Sequence, residues 1–306
     1  MTETPHETGD FAATFQIEGR PIRGRAVRMG AGSISPILDR HDYPPHLAQI
    51  LGEAVTLAAL VGASLKFEGK ILVQAEGDGP VTLLVGEYNT NGNVRGYARY
   101  NPEGWANLER VNKGGEPHMP QLFGRSGRLG LILVHDSPDI QPYQGIVPLN
   151  KATLAQCAEE YFDMSEQVPS SIRIAVDRSA SGAWTAGGML VQRIAADDAR
   201  GETDEGWREA EMLFATLTPA ELIDPALPMP ELLYRLFHEQ GVTLESGMKV
   251  LDQCTCSEER LVNTLSQMPD ESLRELVEED GNLSIDCQFC ARHYNVDIAR
   301  VTGPVN

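Results

Sequence analysis

Four of the five cysteines fall within 37 residues near the C-terminus, as Cys254-Thr255-Cys256 and Cys287-Gln288-Phe289-Cys290. Two close thiol pairs at this spacing are typical of a four-thiolate zinc site. Thiolates are soft ligands that suit tetrahedral zinc, and in an extended Cys-x-Cys segment both sulfurs point to the same side. The sequence therefore predicts that Cys254, Cys256, Cys287 and Cys290 bind one Zn²⁺ per chain.

The spacing leaves two roles open for this metal. A closed four-sulfur site has no open position, which disfavours metal-assisted hydrolysis. The site is either a structural zinc knuckle or a redox switch, in which each thiol pair oxidises to a disulfide and expels the ion. Zinc binding contributes roughly 10–16 kcal/mol in such modules, whereas a whole domain is stable by only about 5–15 kcal/mol. Loss of the metal should therefore unfold so small a module.

Two further residues are weaker candidates for thiol or metal chemistry. Cys157 lies on a predicted helix and is interpreted as a small buried side chain. His293, three residues after Cys290, can replace a thiol ligand, but with four thiols at hand a surface or packing role is favoured.

The chain has no His-Glu-x-x-His, Gly-x-Ser-x-Gly or Gly-x-x-x-x-Gly-Lys motif. No catalytic residue is predicted, and we do not expect an enzyme.

Composition restricts the partners and the compartment. The 306 residues carry 44 acidic and 25 basic side chains, a net charge of −19 that repels nucleic acid and anionic lipid. The first 20 residues lack the apolar core of a signal peptide, and the longest uncharged apolar run, Ala54 to Leu65, is too short to span a bilayer. We therefore expect a cytoplasmic protein without nucleic-acid or membrane partners. In that reducing compartment, clustered cysteines are metal ligands or redox thiols.

Hydrophobic patterning predicts an α+β fold with three domains. Residues 1–196 are predicted to form a mixed α/β core domain of β-sheet and packed helices. A hairpin at Ala13–Ile17 and Ile22–Val27 begins it, and a helix opening at Pro44-Pro45 follows and is buried on several sides. The remaining predicted elements of this domain are a helix at 151–164 and strands at 71–75, 81–85, 94–100, 129–134, 144–147, 172–176 and 189–194.

The segment 197–249 is predicted to be an acidic helical linker, and residues 250–306 a small zinc-binding domain. Between Asp197 and Glu245, 12 acidic residues face three arginines, yet apolar stripes recur at helical spacing between proline breaks. Two interpretations of the linker remain: a segment packed on the first domain, or a conditional segment that unfolds easily. In the zinc-binding domain, Ser257 is a predicted N-cap, followed by Glu258 and Glu259 in the first turn. A second short helix is predicted from Pro269 to about Gly281.

The cysteine motifs and several distant ones together resemble one known family. Beside the two cysteine pairs, with Glu259-Arg260 and Tyr294, the matching motifs are Tyr43-Pro44-Pro45, Leu65-Lys66-Phe67-Glu68-Gly69, Gly77-Asp78-Gly79-Pro80, Tyr143-Gln144-Gly145, Glu160-Tyr161-Phe162, Ser165-Glu166-Gln167 with Pro169, and Gly187-Gly188-Met189-Leu190. From about residue 10 to 300, the chain resembles the redox-regulated 33-kDa heat-shock chaperones of bacteria.

The resemblance implies an ATP-independent holdase that is inactive while reduced and zinc-bound. In that family, peroxide or hypochlorous acid, usually with heat, forms two disulfides and releases the zinc. The zinc domain and the linker then unfold, unfolding client proteins bind, and the active form tends to dimerise. Carried over to this chain, the resemblance implies Cys254–Cys256 and Cys287–Cys290 disulfides and a sensing linker at roughly residues 197–250.

Two other classes of function compete with this one. A zinc-ribbon protein that binds nucleic acid would need a basic face near the cysteines. Acidic residues outnumber Lys and Arg between Val250 and Val301, which weakens that hypothesis. A thiol oxidoreductase would use Cys287 as an unmetallated nucleophile of low pKa, with turnover.

Overall fold

The computed structural model of the chain describes residues 9–179, 181–194, 203–245, 247–269, 272–273, 277 and 281–302. Its strands are β1 Phe11–Ile17, β2 Ile22–Met29, β3 Gly69–Glu76, β4 Val81–Asn89, β5 Asn93–Tyr100, β6 Arg128–His135, β7 Tyr143–Pro148, β8 Ser170–Arg178, β9 Trp184–Arg193, β10 Val242–Leu244, β11 Met248–Lys249, β12 Leu251–Asp252, β13 Asn282–Asp286 and β14 His293–Asp297. Its helices are α1 Ile34–Asp39, α2 Pro45–Gly62, α3 Pro102–Asn112, α4 Met119–Phe123, α5 Leu154–Ser165, α6 Thr203–Phe214, α7 Pro219–Ile223, α8 Met229–Phe237, α9 Glu258–Leu265 and α10 Ile298–Thr302.

The chain divides into two compact units, Met1–Asp252 and Gln253–Asn306. The first unit is built on two six-stranded sheets. One has the strand order β10-β1-β2-β9-β8, with β11 also pairing β1, and we call it the first sheet. The other, the second sheet, has the order β12-β5-β4-β3-β6-β7 and is antiparallel except where β12 runs parallel to β5. These sheets and helices confirm the α+β fold class.

Helix α2 lies between the two sheets and contacts strands of both. Proline at its first position presets the helical φ, and Leu47, Leu51, Val55 and other apolar side chains are buried around most of its circumference. The helix is long and apolar enough to cross a membrane by length and composition alone, but it is mostly buried inside the unit. It is therefore the core helix of this unit.

Glycines in both sheets allow this close approach. A Cβ on Gly86 of β4 would lie 2.5 Å from the Ala54 carbonyl oxygen of α2, and one on Gly188 of β9 would lie 2.8 Å from Thr56 Cγ2. Such distances are shorter than non-bonded carbon contacts permit, so a larger residue at either position would push the helix away from a sheet. The Gly187-Gly188 pair in the sequence thus has a packing function.

The predicted hairpin, the helix at Pro45 and the predicted strands are all present, within a few residues of the expected bounds. The helix predicted at 151–164 is α5, which begins at Leu154 because Thr153 caps it. Sequence reasoning missed α1, α3, α4 and the strands β10–β12. The strands have two or three residues each and exist only through pairing with β1 and β5.

The second unit contains α9, α10 and the β13–β14 hairpin. Its core is small: the described side chains that are fully buried are Leu265, Leu273, Leu283, Val296 and Val301. Ser257 caps α9 by accepting a hydrogen bond from the Arg260 backbone amide, which confirms the predicted helix start. The second short helix predicted from Pro269 to Gly281 falls mainly outside the described residues.

Candidate metal centre

A β-hairpin carries one pair of cysteines. Strands β13 and β14 pair from Asn282–Asp297 to Asp286–His293, and Cys287 and Cys290 lie in the connecting loop. The Cys287 amide donates to the Arg292 carbonyl at 2.9 Å, and the Ala291 amide donates to the Cys287 carbonyl at 2.8 Å. Ala291 has a φ of 55°, a left-handed conformation that closes the loop. Both sulfurs therefore project from one tight turn.

The segment before α9 carries the other pair. Cys254 and Cys256 precede the N-cap residue Ser257. The Arg260 guanidinium donates from Nη1 to the Thr255 carbonyl at 2.9 Å, which ties the middle of the Cys-x-Cys segment to the first turn of the helix. Local hydrogen bonds thus position each pair, and the fold of the second unit brings the two pairs together.

All four sulfurs lie within 4.8 Å of one another. Cys254 Sγ is 3.8 Å from Cys287 Sγ, and Cys256 Sγ is 3.3 Å from Cys290 Sγ. Tetrahedral zinc with Zn–S bonds of about 2.3 Å needs sulfur separations of about 3.8 Å. The four side chains are half-buried free thiols. Number, chemistry and spacing of these donors fit one zinc ion.

The electrostatics of the cluster favour a bound cation. Burial raises the pKa of Cys256, but hydrogen bonds from Tyr294 and from the other thiols outweigh it and lower this pKa to about 7. Burial and the neighbouring thiols raise the pKa of Cys290 to about 12. Cys256 therefore ionises readily while ionisation of Cys290 is suppressed, because negative charges so close together repel. A divalent cation allows all four to be thiolates.

The Tyr294 hydroxyl lies 3.1 Å from Cys256 Sγ and donates a hydrogen bond to it. Arg292 Nη1 lies 3.5 Å from the same hydroxyl oxygen. Sequence reasoning identified Tyr294 only as part of a motif and did not identify Arg292. Its position two residues before Tyr294 and directly before β14 was the available signal.

The two weaker candidates lie outside the cluster. His293 is exposed, and its Nδ1 lies 2.9 Å from an Asp286 carboxylate oxygen. Cys157 is fully buried on α5 in the first unit, and burial raises the pKa of its thiol, which makes it unreactive. The interpretation of Cys157 as a buried small residue is confirmed.

We predict that Tyr294→Phe weakens zinc binding about tenfold, because hydrogen-bond partners of metal ligands typically contribute 10- to 100-fold in affinity. Competition with a chromophoric chelator under reducing conditions measures the effect. Tyr234→Phe, at an exposed position in the first unit, is the matched control and should bind zinc like the wild type. Equal affinities in both variants would show that Tyr294 does not support the ligand.

The described part of the predicted acidic linker, residues 203–245, is called the acidic segment, and it packs on the face of the first sheet that points away from α2. Its helices α6, α7 and α8 bury the predicted apolar stripes, which are Trp207, Ala210, Phe214, Leu217, Leu232, Leu233, Leu236 and Phe237. These side chains form one core cluster with Phe15, Ile22 and Met189 of the sheet. The prediction of short amphipathic helices is confirmed. Residues 195–202, where the predicted boundary at 196 lies, are outside the described residues.

Arginines of the first sheet hold the segment in place. Arg28 donates to three backbone carbonyls of the segment: from Nε to Leu222 at 3.1 Å, from Nη1 to Leu227 at 2.7 Å, and from Nη2 to Glu221 at 3.2 Å. Burial lowers the pKa of Arg28, and the nearby Asp224 opposes that shift. Two ion pairs also involve α6: Arg20, in the turn between β1 and β2, pairs with Glu209, and Arg193 of β9 pairs with Asp204. The negative charge of the segment is thus partly compensated where it contacts the sheet.

Gly187 makes a further contact with the acidic segment that sequence reasoning missed. A Cβ at this position would lie 2.2 Å from the Leu222 carbonyl oxygen and 2.7 Å from its carbonyl carbon. Leu222 belongs to α7, so the end of this helix rests directly on the backbone of β9. Gly187 faces the acidic segment and Gly188 faces α2, since successive residues of a strand point to opposite sides.

The chain is similar to known proteins over nearly its whole length. The family model described as "Hsp33 protein" matches residues 10–297. The chain belongs to the Hsp33 family. The 33 kDa chaperonin of Caulobacter vibrioides is 45% identical over 304 residues, which are 97% of this chain and 99% of the relative. That of Cronobacter sakazakii is 36% identical over 289 residues, 94% and 92% of the two chains.

A solved structure supports the Hsp33 fold. The 33 kDa chaperonin of Thermotoga maritima matches with a TM-score of 0.75 at 23% identity, covering 95% of this chain and 96% of the other. The expected family resemblance is confirmed, and a chaperone function follows from membership in the Hsp33 family. The four-cysteine cluster is present, as expected of a zinc domain.

Proposed function

We propose that this Hsp33 family member is a redox-regulated, ATP-independent holdase, inactive while reduced and zinc-bound. The observation that carries the proposal is the clustering of four thiols within 4.8 Å in a unit with five fully buried apolar side chains among its described residues. So small a core needs a metal or another crosslink to fold. The oxidation state of the sulfurs therefore controls the folding of the unit.

The chemical step is a two-electron oxidation of each thiol pair. Two thiolates and one hydrogen peroxide molecule take up two protons; a sulfur–sulfur bond forms, the O–O bond breaks, and two waters leave. Zinc favours the thiolate state of its ligands, and each disulfide removes two of those ligands. Two such steps consume two peroxides and free one Zn²⁺ per chain.

We propose that the disulfides are Cys254–Cys256 and Cys287–Cys290. Sulfur contacts of 3.8 Å and 3.3 Å also join the two segments, Cys254 to Cys287 and Cys256 to Cys290. Disulfides across the segments would keep the hairpin tied to α9, whereas disulfides within each segment leave the two free to separate. Only the second pairing lets the unit unfold. Peptide mapping of the oxidised protein by mass spectrometry distinguishes the two.

Unfolding of the second unit and release of the acidic segment would then create the client-binding surface. Once α6–α8 leave the sheet, their apolar stripes become exposed, while the net negative charge limits self-aggregation. We propose unfolding or aggregating proteins as the clients, a homodimer as the oxidised active form, and the cytoplasm as the location. The thermal requirement follows from the marginal attachment of the segment.

The experiment oxidises zinc-loaded protein with peroxide at heat-shock temperature. We expect release of one zinc per chain, measured with a chromophoric chelator, and suppression of light scattering from a model enzyme diluted out of denaturant. The reduced protein is the control and should not suppress scattering. Equal protection by the reduced form, or no gain on oxidation, would contradict the switch.

The same experiment addresses the two competing classes of function. A thiol oxidoreductase acting through Cys287 would turn over a disulfide substrate without losing zinc stoichiometrically. A zinc-ribbon protein would bind nucleic acid in the reduced, metal-loaded form. Either result, together with absent client protection, would replace the chaperone proposal.

A further inference from the structure

A cleft of about 700 Å³ opens in the first unit, remote in sequence from the cysteines. Helix α2, the loop between α3 and α4, strand β8 and helix α7 form its walls. A second pocket of about 260 Å³ adjoins it and shares His46 and Pro117 with it. Cavities of this size hold organic ligands or peptide side chains.

The two pockets differ in chemistry. The smaller one is mainly apolar and is lined by Trp105, Leu108, Pro45 and Pro117. The larger one carries the carboxylates of Glu53, Glu116 and Asp177. Among the described residues that line either pocket there is no lysine or arginine. The cleft therefore combines an apolar end with uncompensated negative charge.

Glu53 projects from the core helix α2 into this cleft. Its side chain is half-buried and lines the open cavity. Burial raises the pKa of Glu53 to about 7, and the charge of Glu116 acts in the same direction. Within the described part of the chain, its carboxylate has no hydrogen bond or ion pair. A desolvated carboxylate without a partner is unfavourable, and a cationic ligand would remove that cost.

The arrangement favours an organic cation over a metal ion. Within the described ranges, the group whose ligand atoms are close enough to hold one ion is the cysteine cluster. The carboxylates and imidazoles of the cleft are spread over a cavity much larger than a metal site. A guanidinium group carries five N–H donors in a planar fork and can pair with more than one carboxylate.

We propose that this cleft binds a cationic peptide segment, with an arginine or lysine side chain paired to Glu53 and Glu116 and a neighbouring apolar side chain in the Trp105 pocket. Charge complementarity supports a peptide, since the net charge of −19 attracts basic segments to the protein. The site lies in the first unit, and helix α7 of the acidic segment forms one of its walls, so the peptide is expected to bind the reduced, zinc-loaded form, in which that segment is packed on the sheet.

Binding should be tighter at pH 8 than at pH 6. The cation pairs with ionised Glu53, whose pKa is about 7, so the carboxylate that binds is lost as the pH falls through that value. The titratable groups that face the two pockets are His46, Glu53, Glu109, Glu116, His118 and Asp177.

Calorimetric titration of the reduced, zinc-loaded full chain tests the proposal. The probe is acetyl-Leu-Ala-Arg-Ala-amide, and its citrulline analogue keeps the shape but lacks the charge. We expect the citrulline peptide to bind at least tenfold more weakly than the arginine peptide. Replacing the leucine of the arginine peptide with glycine should also weaken its binding. Equal binding of the arginine and citrulline peptides, or no binding of either at millimolar concentration, would overturn the proposal.

Variants locate the site. Glu53→Gln should weaken the arginine peptide at least tenfold at pH 8 and reduce the difference between pH 6 and pH 8. Glu68→Gln, at an exposed position that lines neither pocket, is the matched control and should bind like the wild type. Glu116 is exposed, so Glu116→Gln should fold normally and show a smaller loss of the same sign. If both cleft variants bind like the control, the cleft is not the site, whatever the oxidation assay shows.

Discussion

Replacing Cys287 with serine will unfold residues 253–306 of the reduced protein while the first unit stays folded. The substitution removes one of four thiols from a unit whose stability we propose to depend on zinc. Zinc in such modules contributes roughly 10–16 kcal/mol, and the few described buried side chains cannot replace that contribution. Hydrogen exchange should show nearly complete loss of protection in the β13–β14 hairpin and wild-type protection in α2.

Cys157→Ala is the matched control for the loss of a thiol. Cys157 is buried in the first unit and lies far from the other cysteines in sequence, so its variant should keep one zinc per chain and a protected hairpin. The ligand assignment would be wrong if the Cys287→Ser variant bound zinc as tightly as the wild type. A structural knuckle without a switch would lose zinc equally but gain no ability to hold clients.

Replacing Gly187 with alanine will release the acidic segment from the first sheet without touching the zinc site. The new Cβ would collide with the Leu222 backbone at 2.2 Å, so α7 must shift and its bonds to Arg28 must break. Overpacking of this kind costs typically 1–3 kcal/mol, a large share of the stability of a marginal segment. Hydrogen exchange in residues 203–245 should accelerate at least tenfold, and the reduced variant should hold clients with zinc still bound.

Gly130→Ala is the control for this substitution, because its Cβ would have only ordinary contacts, the nearest at 3.4 Å. It makes the same change in a strand of the second sheet and should leave the acidic segment protected. Arg28→Ala is a second variant that should release the acidic segment, because it removes three hydrogen bonds from the guanidinium group to that segment. If both Gly187→Ala and Arg28→Ala remain inactive when reduced despite faster exchange, release of the segment is not sufficient for activity.

The attachment of the acidic segment illustrates where reasoning from the sequence reached its limit. Its apolar stripes identified amphipathic helices, and their charge suggested weak association. The count of charges did not show that three arginines of the first unit would contact this segment, namely Arg20, Arg28 and Arg193. These contacts join residues roughly 10 to 200 positions apart, and helical periodicity carries no information on such pairs.

The cysteine cluster illustrates the opposite case. Four soft ligands at a close spacing limit the chemistry so strongly that the sequence alone indicates a metal site, and the fold brings all four sulfurs within 4.8 Å of one another. The hydrogen bond from Tyr294 to Cys256 was not predicted, because it depends on how the hairpin lies against the segment before α9.

The sequence by itself determined the α+β fold class, the positions of the core helix and of the longer strands, and the four thiols, because each follows from local periodicity or from the chemistry of a few side chains. Only the tertiary structure decided that Gly187, and not Gly188, contacts the acidic segment and that Arg28 donates hydrogen bonds to that segment. It also decided that Glu53 lines an acidic cleft. Those properties arise from distances between residues far apart in the chain, which packing sets and residue order alone does not reveal.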